Sequence, residues 1–437
     1  MDKKRKLAYD DTFRCVQCGY CLPVCPTYLT MGKETHSPRG RINLVKMAGE
    51  GKISLDQLQA PMELCLGCRA CETVCPTNVE YGRILDAARE TISSLNENKR
   101  SLSLKKLFYQ YILPNQQLLR FIGSGLHFYQ KTKMDQTVRK LGLTKILPKP
   151  LQALEKVTPT IPKKVGRQTV RKERETPLFR IGFFSGCVMD TVFSHVNDLS
   201  IQLLINAGCE VTVLKEQTCC GALHLHGGKK EQAIQLAKTN IETFEQYEFD
   251  YIVNSIGGCG ATLMEYTHLF AENDEWFDRA KQFSQKCVDI SVILARLKLP
   301  FNRTISKVVT YQPSCHLKNV QNVSAEPITL LKSIPGVIFR SFEEMDICCG
   351  SAGVYNLEHY DEAMDILTRK MKFIQQTMPD IIVTTNPGCH LQMKLGVERE
   401  GLHTQIKVVH LIELLAESCE IGETANVRKY NRRLTET

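Results

Sequence analysis

Apolar residues fall at helical spacing through the first part of the chain and in short unbroken runs through the second, which predicts helices first and an α/β architecture after them. Following Pro38-Arg39-Gly40-Arg41, the positions Ile42, Leu44, Val45 and Met47 predict a proline-started helix. Beyond Pro76, Ile84, Leu85, Ala87 and Ala88 predict another, ending before the polar stretch Ser93 to Arg100. A third apolar series, Leu102, Leu104, Leu107, Phe108, Tyr111, Ile112 and Leu113, breaks at Pro114 and resumes at Leu118, Leu119, Phe121 and Ile122. It reads as helices whose apolar face packs on the protein itself, followed from Pro159 to Pro177 by an exposed linker with hardly an apolar residue.

From residue 177 one pattern is written twice. Arg180-Ile-Gly-Phe-Phe-Ser185 is answered by Lys307-Val-Val-Thr-Tyr311, Asp250-Tyr-Ile-Val-Asn-Ser255 by Asp380-Ile-Ile-Val-Thr-Thr385, and Val288-Asp-Ile-Ser-Val-Ile-Leu-Ala295 by Val409-His-Leu-Ile-Glu-Leu-Leu-Ala416. Cysteines repeat with them: Cys187 as Cys315, Cys219-Cys220-Gly221 as Cys348-Cys349-Gly350, and Cys259 as Cys389, at offsets of 128, 129 and 130. Two homologous domains are the economical explanation. Each reads as strand, cysteine, helix, strand, Cys-Cys-Gly, helix, strand, cysteine, helix, and such alternation implies a parallel sheet. Cys187, Cys259, Cys315 and Cys389 follow strands directly, at the carboxyl edge where open α/β sheets hold ligands. The four cysteines of each half are expected to converge on one point. Gly186, Gly221, Gly257, Gly258, Gly260, Gly350 and Gly388 are expected to let the backbone approach a bulky inorganic group there.

A second duplication sits at the front of the chain: Cys15-x2-Cys18-x2-Cys21-x3-Cys25-Pro26 and Cys65-x2-Cys68-x2-Cys71-x3-Cys75-Pro76. This is the ligand pattern of a bacterial-type ferredoxin holding two 4Fe-4S cubes, in which three closely spaced thiolates wrap one cube and the fourth reaches its neighbour. Cys15, Cys18, Cys21 and Cys75 are therefore assigned to one cluster, and Cys65, Cys68, Cys71 and Cys25 to the other. Zinc also binds Cys-x2-Cys pairs but has no use for a duplicated four-cysteine run ending in proline. The chain thus divides into an α-helical two-cluster ferredoxin domain (1–95), a helical connector and linker (96–176) and two duplicated α/β cysteine-rich repeats (177–300 and 301–437).

Composition narrows the setting. The 437 residues suffice for about three domains, and 43% hydrophobic with 24% charged residues excludes disorder. No apolar segment follows the basic opening Met1 to Lys6 and no eighteen apolar residues run together, so neither a signal peptide nor a membrane span is expected. Nineteen cysteines in such a chain are metal ligands of a reducing compartment, the cytoplasm, rather than disulfides. The net charge of +9 is unevenly spread: residues 96–176 carry 18 Lys and Arg against 5 Asp and Glu. A basic amphipathic stretch of this kind is also a candidate for peripheral contact with an anionic membrane, and Lys163, Lys164, Arg167, Arg171, Lys172 and Arg174 supply much of its charge. Nucleic acid is not the expected partner, because no recognition fold or aromatic interleaving accompanies the charge.

The eight cysteines of the repeats, Cys187, Cys219, Cys220, Cys259, Cys315, Cys348, Cys349 and Cys389, suffice for a further iron-sulfur cluster in one or both halves. They also suffice for zinc, and the adjacent pairs could serve as redox-active dithiols. His224, His226, His316 and His390 lie beside these cysteines; they are candidates for donating to sulfur or protonating a reduced acceptor, against the plainer reading of structural histidines. Cys209, Cys287 and Cys419 fit neither pattern and read as small buried residues. Iron-sulfur clusters pass single electrons and oxidise no hydride donor, and no Gly-x-Gly-x-x-Gly opening a βαβ unit or other nucleotide motif is present. The expected partner is a flavoprotein that takes two electrons from an alcohol or hydroxy acid and releases them singly.

The cysteine repeat resembles the CCG cysteine-rich domain of heterodisulfide reductases, anaerobic glycerol-3-phosphate dehydrogenase and glycolate oxidase. The fuller family form ends each repeat with a fifth cysteine and holds a non-cubane cluster, but here those positions are Thr262 and Gln392. Together with both ferredoxin runs, the Pro38-Arg39-Gly40-Arg41 spacer, Gly257-Gly258-Cys259-Gly260 and Asn386-Pro387-Gly388-Cys389-His390, nearly the whole chain resembles the iron-sulfur subunits of bacterial glycolate oxidases. That resemblance implies an electron-transfer subunit with no catalytic residue of its own. Its complex would be cytoplasmic, or peripheral on the inner face of the cell membrane, with FAD-containing dehydrogenase subunits oxidising glycolate or D-lactate and quinone or another non-oxygen acceptor receiving the electrons. The alternatives are the cluster-bearing subunit of an anaerobic glycerol-3-phosphate dehydrogenase, built from the same domain types, and a CCG-type disulfide reductase subunit.

Overall fold

The computed structural model describes residues 3–97, 111–161 and 176–422. The apolar positions Leu102, Leu104, Leu107 and Phe108 and the basic series Lys163 to Arg174 lie outside the described residues. In the N-terminal domain, Pro38 sets the first turn and the Ser37 hydroxyl accepts the Gly40 N–H, so a helix runs from Pro38 to Gly49 as its apolar spacing predicts. It buries Ile42, Val45 and Ala48 against Leu58 and Met62 of the helix Leu55–Glu63 and against Ile84, Leu85 and Ala88 of the helix Tyr81–Glu97. That last helix runs past Ser93, where the sequence suggested it would stop. The Thr91 and Ser94 hydroxyls bond back to the carbonyls of Ala87 and Thr91, so these polar side chains are satisfied within the helix.

The two C-terminal repeats build two separate four-stranded parallel sheets. In the first, β1 (Arg180–Phe183), β2 (Glu210–Thr212), β3 (Tyr251–Asn254) and β4 (Cys287–Asp289) are ordered β2-β1-β3-β4. In the second, β5 (Lys307–Gln312), β6 (Val337–Phe339), β7 (Ile381–Thr384) and β8 (Lys407–His410) are ordered β6-β5-β7-β8, the same topology. Each sheet gains an edge strand, β4 or β8, that the reading of three strands per half omitted. These strands last three or four residues before a helix takes over, too short to declare a period of their own. The strand order reverses between β1 and β3, and between β5 and β7, so each half has its ligand-binding crevice beyond the carboxyl ends of those strands. One hydrophobic cluster joins both sheets, with Phe183, Val211 and Val253 of the first half and Val309, Val383 and Val409 of the second. Cys209, Cys287 and Cys419 are buried in these cores, as small apolar residues would be.

The connector is helical where described: Gln116–Lys131, Met134–Lys140 and Lys149–Val157. Its apolar positions divide in a way that periodicity alone did not reveal. Leu113, Val157 and Ile161 are buried, and Leu119 and Gly123 face the first repeat, Gly123 so closely that a Cβ would meet Thr191 at 2.8 Å. Phe121 (77% exposed), Phe128 (61%), Leu141 (68%) and Ile146 (80%) point outward instead. The expectation that this apolar face packs on the protein itself holds for only one side of these helices. Among the described residues no helix is long and apolar enough to cross a membrane.

Candidate metal centres

The two N-terminal cysteine runs fold alike. Gln17 and Gly19 in the first have positive φ (58° and 89°), as do Gly67 and Arg69 in the second (62° and 59°), so each loop makes the same left-handed turns. The proline after each run then ends the loop, opening a helix at Pro26 in the first case. Cys15, Cys18 and Cys21 line a small cavity of about 30 Å³ together with Cys71, Cys75 and Pro76 of the other run. Cys25 lies conversely within the field of Cys68 and Cys71. Cys25 acts on Cys21 as well, so the fold gathers the sulfurs of both runs into one region, and the division into two crossed sets stays a proposal.

Their surroundings differ. Cys18 is exposed and Cys15, Cys21, Cys75, Cys68 and Cys71 are partly so, whereas Cys25 and Cys65 are each 8% exposed. Burial pushes the thiols of Cys68 and Cys71 well up. Burial acts on Cys65 in the same way, yet the Arg41 and Arg89 guanidiniums and the hydrogen bond from the Tyr81 hydroxyl (3.4 Å) bring its thiol below the usual range.

In the repeats, Cys187 is the first residue of the helix Cys187–Val192 after β1, and Cys259 lies in the first turn of Gly257–Met264 after β3. Cys315 and Cys389 take the equivalent places after β5 and β7. The Cys-Cys-Gly turns bring in the other sulfurs. Cys187 and Cys219 Sγ are 3.6 Å apart, Cys220 and Cys259 3.1 Å, and Cys315 and Cys348 4.0 Å. The two groups of sulfurs are not separate from each other: all eight cysteines line one cavity of about 240 Å³. The halves meet through these same loops, since Gly257 N–H donates to the Thr385 carbonyl (3.1 Å), Gly258 N–H to Asn386 Oδ1 (3.1 Å), and Gln321 Nε2 to the Gly257 carbonyl (2.8 Å).

Gly258 and Gly388 line the cavity, while other glycines of these loops permit contacts within the protein. Gly221 and Gly350 have φ of 86° and 89°, which lets the chain double back after each cysteine pair. A Cβ on either would meet the following helix, at Ala233 or Ala363, rather than a group in the cavity. At Gly257 a Cβ would lie 2.3 Å from Ser314 Oγ, so this glycine permits the approach of one half to the other.

The donor set suits an iron-sulfur group. Sulfur is the only ionisable donor class among the cavity residues apart from His226 and His316, no carboxylate lines it, and soft thiolates select such clusters. Among the described residues, no three Cys, His, Asp or Glu side chains close tightly enough to grip a single metal ion. Thr262 and Gln392, at the fifth-cysteine positions, are tied into their own chain: Thr262 Oγ1 donates to the Gly258 carbonyl (3.3 Å), and Gln392 Oε1 accepts from Asn356 Nδ2 (3.1 Å).

The four candidate histidines separate. His226 and His316 line the cavity with their rings stacked 5.5 Å apart and 8° from parallel, and burial lowers both imidazoles below the usual range. His224 is buried in the core, and His390 turns edge-on to Phe193 at 5.2 Å, outside the cavity lining. Sequence reasoning missed the joint between the two metal regions. His316 Nε2 and the Gly67 carbonyl are 2.9 Å apart and Asn319 Nδ2 donates to the Cys68 carbonyl (2.8 Å), while Leu66 packs with Cys348, Cys349 and Cys389. Only the position of Asn319 four residues beyond Cys315 could have hinted at it.

Residues 11–79 match the 4Fe-4S dicluster domain, residues 103–158 the linker region of the glycolate oxidase iron-sulfur subunit, and residues 181–264 and 309–394 the CCG cysteine-rich domain. The chain is 44% identical to the probable glycolate oxidase iron-sulfur subunit of Bacillus subtilis (strain 168), over 95% of this chain and 96% of the relative. It is 28% identical to the glycolate oxidase iron-sulfur subunit of Escherichia coli (strain K12) over the same shares. Lactate utilization protein A of Exiguobacterium sp. is 29% identical across 97% of its own length but only 54% of this chain. These matches agree with the donor chemistry: the chain is an iron-sulfur protein whose N-terminal domain carries two 4Fe-4S clusters.

Proposed function

We propose that this chain, which belongs to the family of glycolate oxidase iron-sulfur subunits, takes single electrons from FAD-containing dehydrogenase subunits that oxidise glycolate. The electrons then pass through the two ferredoxin clusters to iron-sulfur centres held by the repeat cysteines, and on to quinone or another non-oxygen acceptor. D-lactate is a second candidate substrate of the complex, since relatives over half of the chain are named for lactate utilization. The observation that carries this reading is the contact between the metal regions: the Cys65–Cys71 loop lies directly on Cys348, Cys349 and Cys389 and is held there through His316 and Asn319. A continuous series of sulfur-lined sites is what single-electron relay requires. A disulfide reductase built on the full five-cysteine motif finds no support in Thr262 and Gln392.

Two measurements test it. Anaerobically purified protein is expected to bind iron well beyond the roughly eight atoms of two cubes, and the excess should vanish when Cys220, Cys259, Cys349 and Cys389 are all changed to serine. Iron stopping at about eight would leave the repeats without clusters. Glycolate should bleach the visible absorbance of the chain only when its flavoprotein subunits are added. Bleaching by glycerol 3-phosphate with its own dehydrogenase, and not by glycolate, would transfer the chain to that complex.

The connector would dock the complex to a flavoprotein partner or to an anionic membrane face. Residues 111–161 combine eight Lys and Arg against two Asp and Glu with the outward Phe121, Phe128, Leu141 and Ile146. Changing Phe121 and Phe128 to serine should lower co-sedimentation with anionic vesicles, or co-purification with the flavoprotein, several-fold at any ionic strength. Neutralising Lys131, Lys133, Lys140 and Lys145 should do so in low salt more than in high. Unchanged binding in both sets would remove the connector from docking.

A further inference from the structure

Arg41 is the largest of the fully buried side chains, 1% exposed, on the inner face of the helix Pro38–Gly49. A buried guanidinium is costly unless its charge is answered. Its Nε donates to the Pro61 carbonyl (2.7 Å) and Nη1 to the Thr27 hydroxyl (3.1 Å), both neutral groups, while Nη2 has no hydrogen-bond partner. Among the described residues no carboxylate forms an ion pair with it. The groups whose charge acts on it are Cys65, Tyr81 and Cys25. Thr27, which accepts from Arg41, lies 3.3 Å from Cys25 Sγ, and Tyr81 donates to Cys65 Sγ at 3.4 Å. The buried cation therefore faces two sulfurs of a single cluster set, one from each cysteine run.

Among the described residues the other set has no such charge. Its nearby arginine, Arg39, lies at the rim of the small cavity, partly exposed, and is already neutralised by Glu34 at 2.7 Å. A thiolate-ligated cube is anionic and gains one further negative charge when it accepts an electron. Burial alone would make the inner cube the harder one to reduce, because low dielectric penalises added charge. A fixed, unneutralised cation at its surface acts in the opposite direction, and low dielectric strengthens that too.

We propose that Arg41 is the internal counter-charge that raises the reduction potential of the cluster held by Cys25, Cys65, Cys68 and Cys71 above that of its exposed neighbour, so that electrons collect on the cube lying against the repeat cavity. The inference rests on the cluster assignment made above. One electron, supplied by the reduced flavin of the partner and received by way of the exposed cube, is taken up without a proton or a bond change. Arg41 is then a positioning residue for charge, not a catalytic one.

The test is a potentiometric EPR titration of the full chain, purified without oxygen, in the presence and absence of a soluble dysprosium chelate that broadens signals from exposed clusters. In the unaltered protein the first cluster to be reduced should be the one the chelate does not broaden. Arg41→Gln should lower that cluster's potential by the equivalent of tenfold or more in its reduction equilibrium, 59 mV for one electron, and leave the other unmoved. Arg41→Lys keeps the charge but loses the fork to Pro61 and Thr27, and should restore most of the shift. A purely structural role predicts instead that the lysine variant behaves like the glutamine one. If Arg41→Gln fails to retain iron, the order of reduction in the unaltered protein still decides, because the broadened cluster reducing first would overturn the proposal. Two cubes with unshifted potentials in the variants would overturn it alone, whereas protein lacking two EPR-active cubes would overturn the cluster assignment and this inference together.

Discussion

Cys25→Ser is expected to abolish the EPR signal of the inner cluster and to spare the outer one, even though Cys25 belongs to the run that supplies three ligands of the outer one. Cys25 is buried at the N-terminus of the helix Pro26–Met31, in the field of Cys68 and Cys71 and next to Arg41. Cys75, in contrast, lies at the rim of the cavity formed by Cys15, Cys18 and Cys21, where its sulfur accepts the Val79 N–H at 3.4 Å. Serine conserves the volume but offers a hydroxyl too basic to replace a thiolate. The variant should lose about four irons, and the signal that survives should be the one broadened by an aqueous relaxation agent. Cys75→Ser should give the mirror result. If each substitution removed only the cluster of its own run, the crossed assignment would be wrong, and the proximity of Cys25 to Cys68 would have no bearing on ligation.

Much of this arrangement was legible because it depends on short range and on duplication. Cysteine spacing declared a two-cluster domain, and offsets of 128 to 130 between Cys187 and Cys315, Cys219 and Cys348, and Cys259 and Cys389 declared two like sheets with cysteines at their carboxyl edges. What the sequence did not disclose is how repeats face one another. Gly257 meeting Thr385 and Gly258 meeting Asn386 are contacts across about one repeat length, and no local periodicity encodes them. The shared eight-cysteine cavity follows from those contacts. The connector illustrates the same limit: the spacing of Leu118, Leu119, Phe121 and Ile122 shows that apolar residues recur, but not that Leu119 is covered while Phe121 is bare. Arg41 was visible as a letter in the Pro-Arg-Gly-Arg spacer, and its burial was not, because arginine is ordinarily a surface residue.

The joint between the repeats should also make the protein sensitive to mild acid. His410 is buried at the start of the helix Leu411–Ser418, where Nδ1 accepts the Ile412 N–H (3.2 Å) and Nε2–H therefore donates to the Ser255 carbonyl of the other half (3.1 Å). Both nitrogens are committed to the neutral ring. Burial lowers its pKa from 6.5 to about 4. The unfolded chain thus binds a proton between those two values that the folded chain refuses, so the stabilisation is complete above pH 6.5 and is lost as pH falls toward 4. The loss from this one group is about 3 kcal/mol. Glu413 extends the effect to lower pH: burial opposes its charge, but the hydrogen bond with His195 and the His410 N–H hold its carboxyl down at about 2, so its contribution is lost below 4.5. Because clusters also suffer in acid, the informative quantity is the difference between unaltered protein and His410→Asn, since asparagine still caps the helix and does not titrate. The variant should be the less stable at pH 7 and lose less on going to pH 5, so that the two thermal midpoints converge. Parallel midpoints across that range would mean that His410 carries no linked proton at this joint.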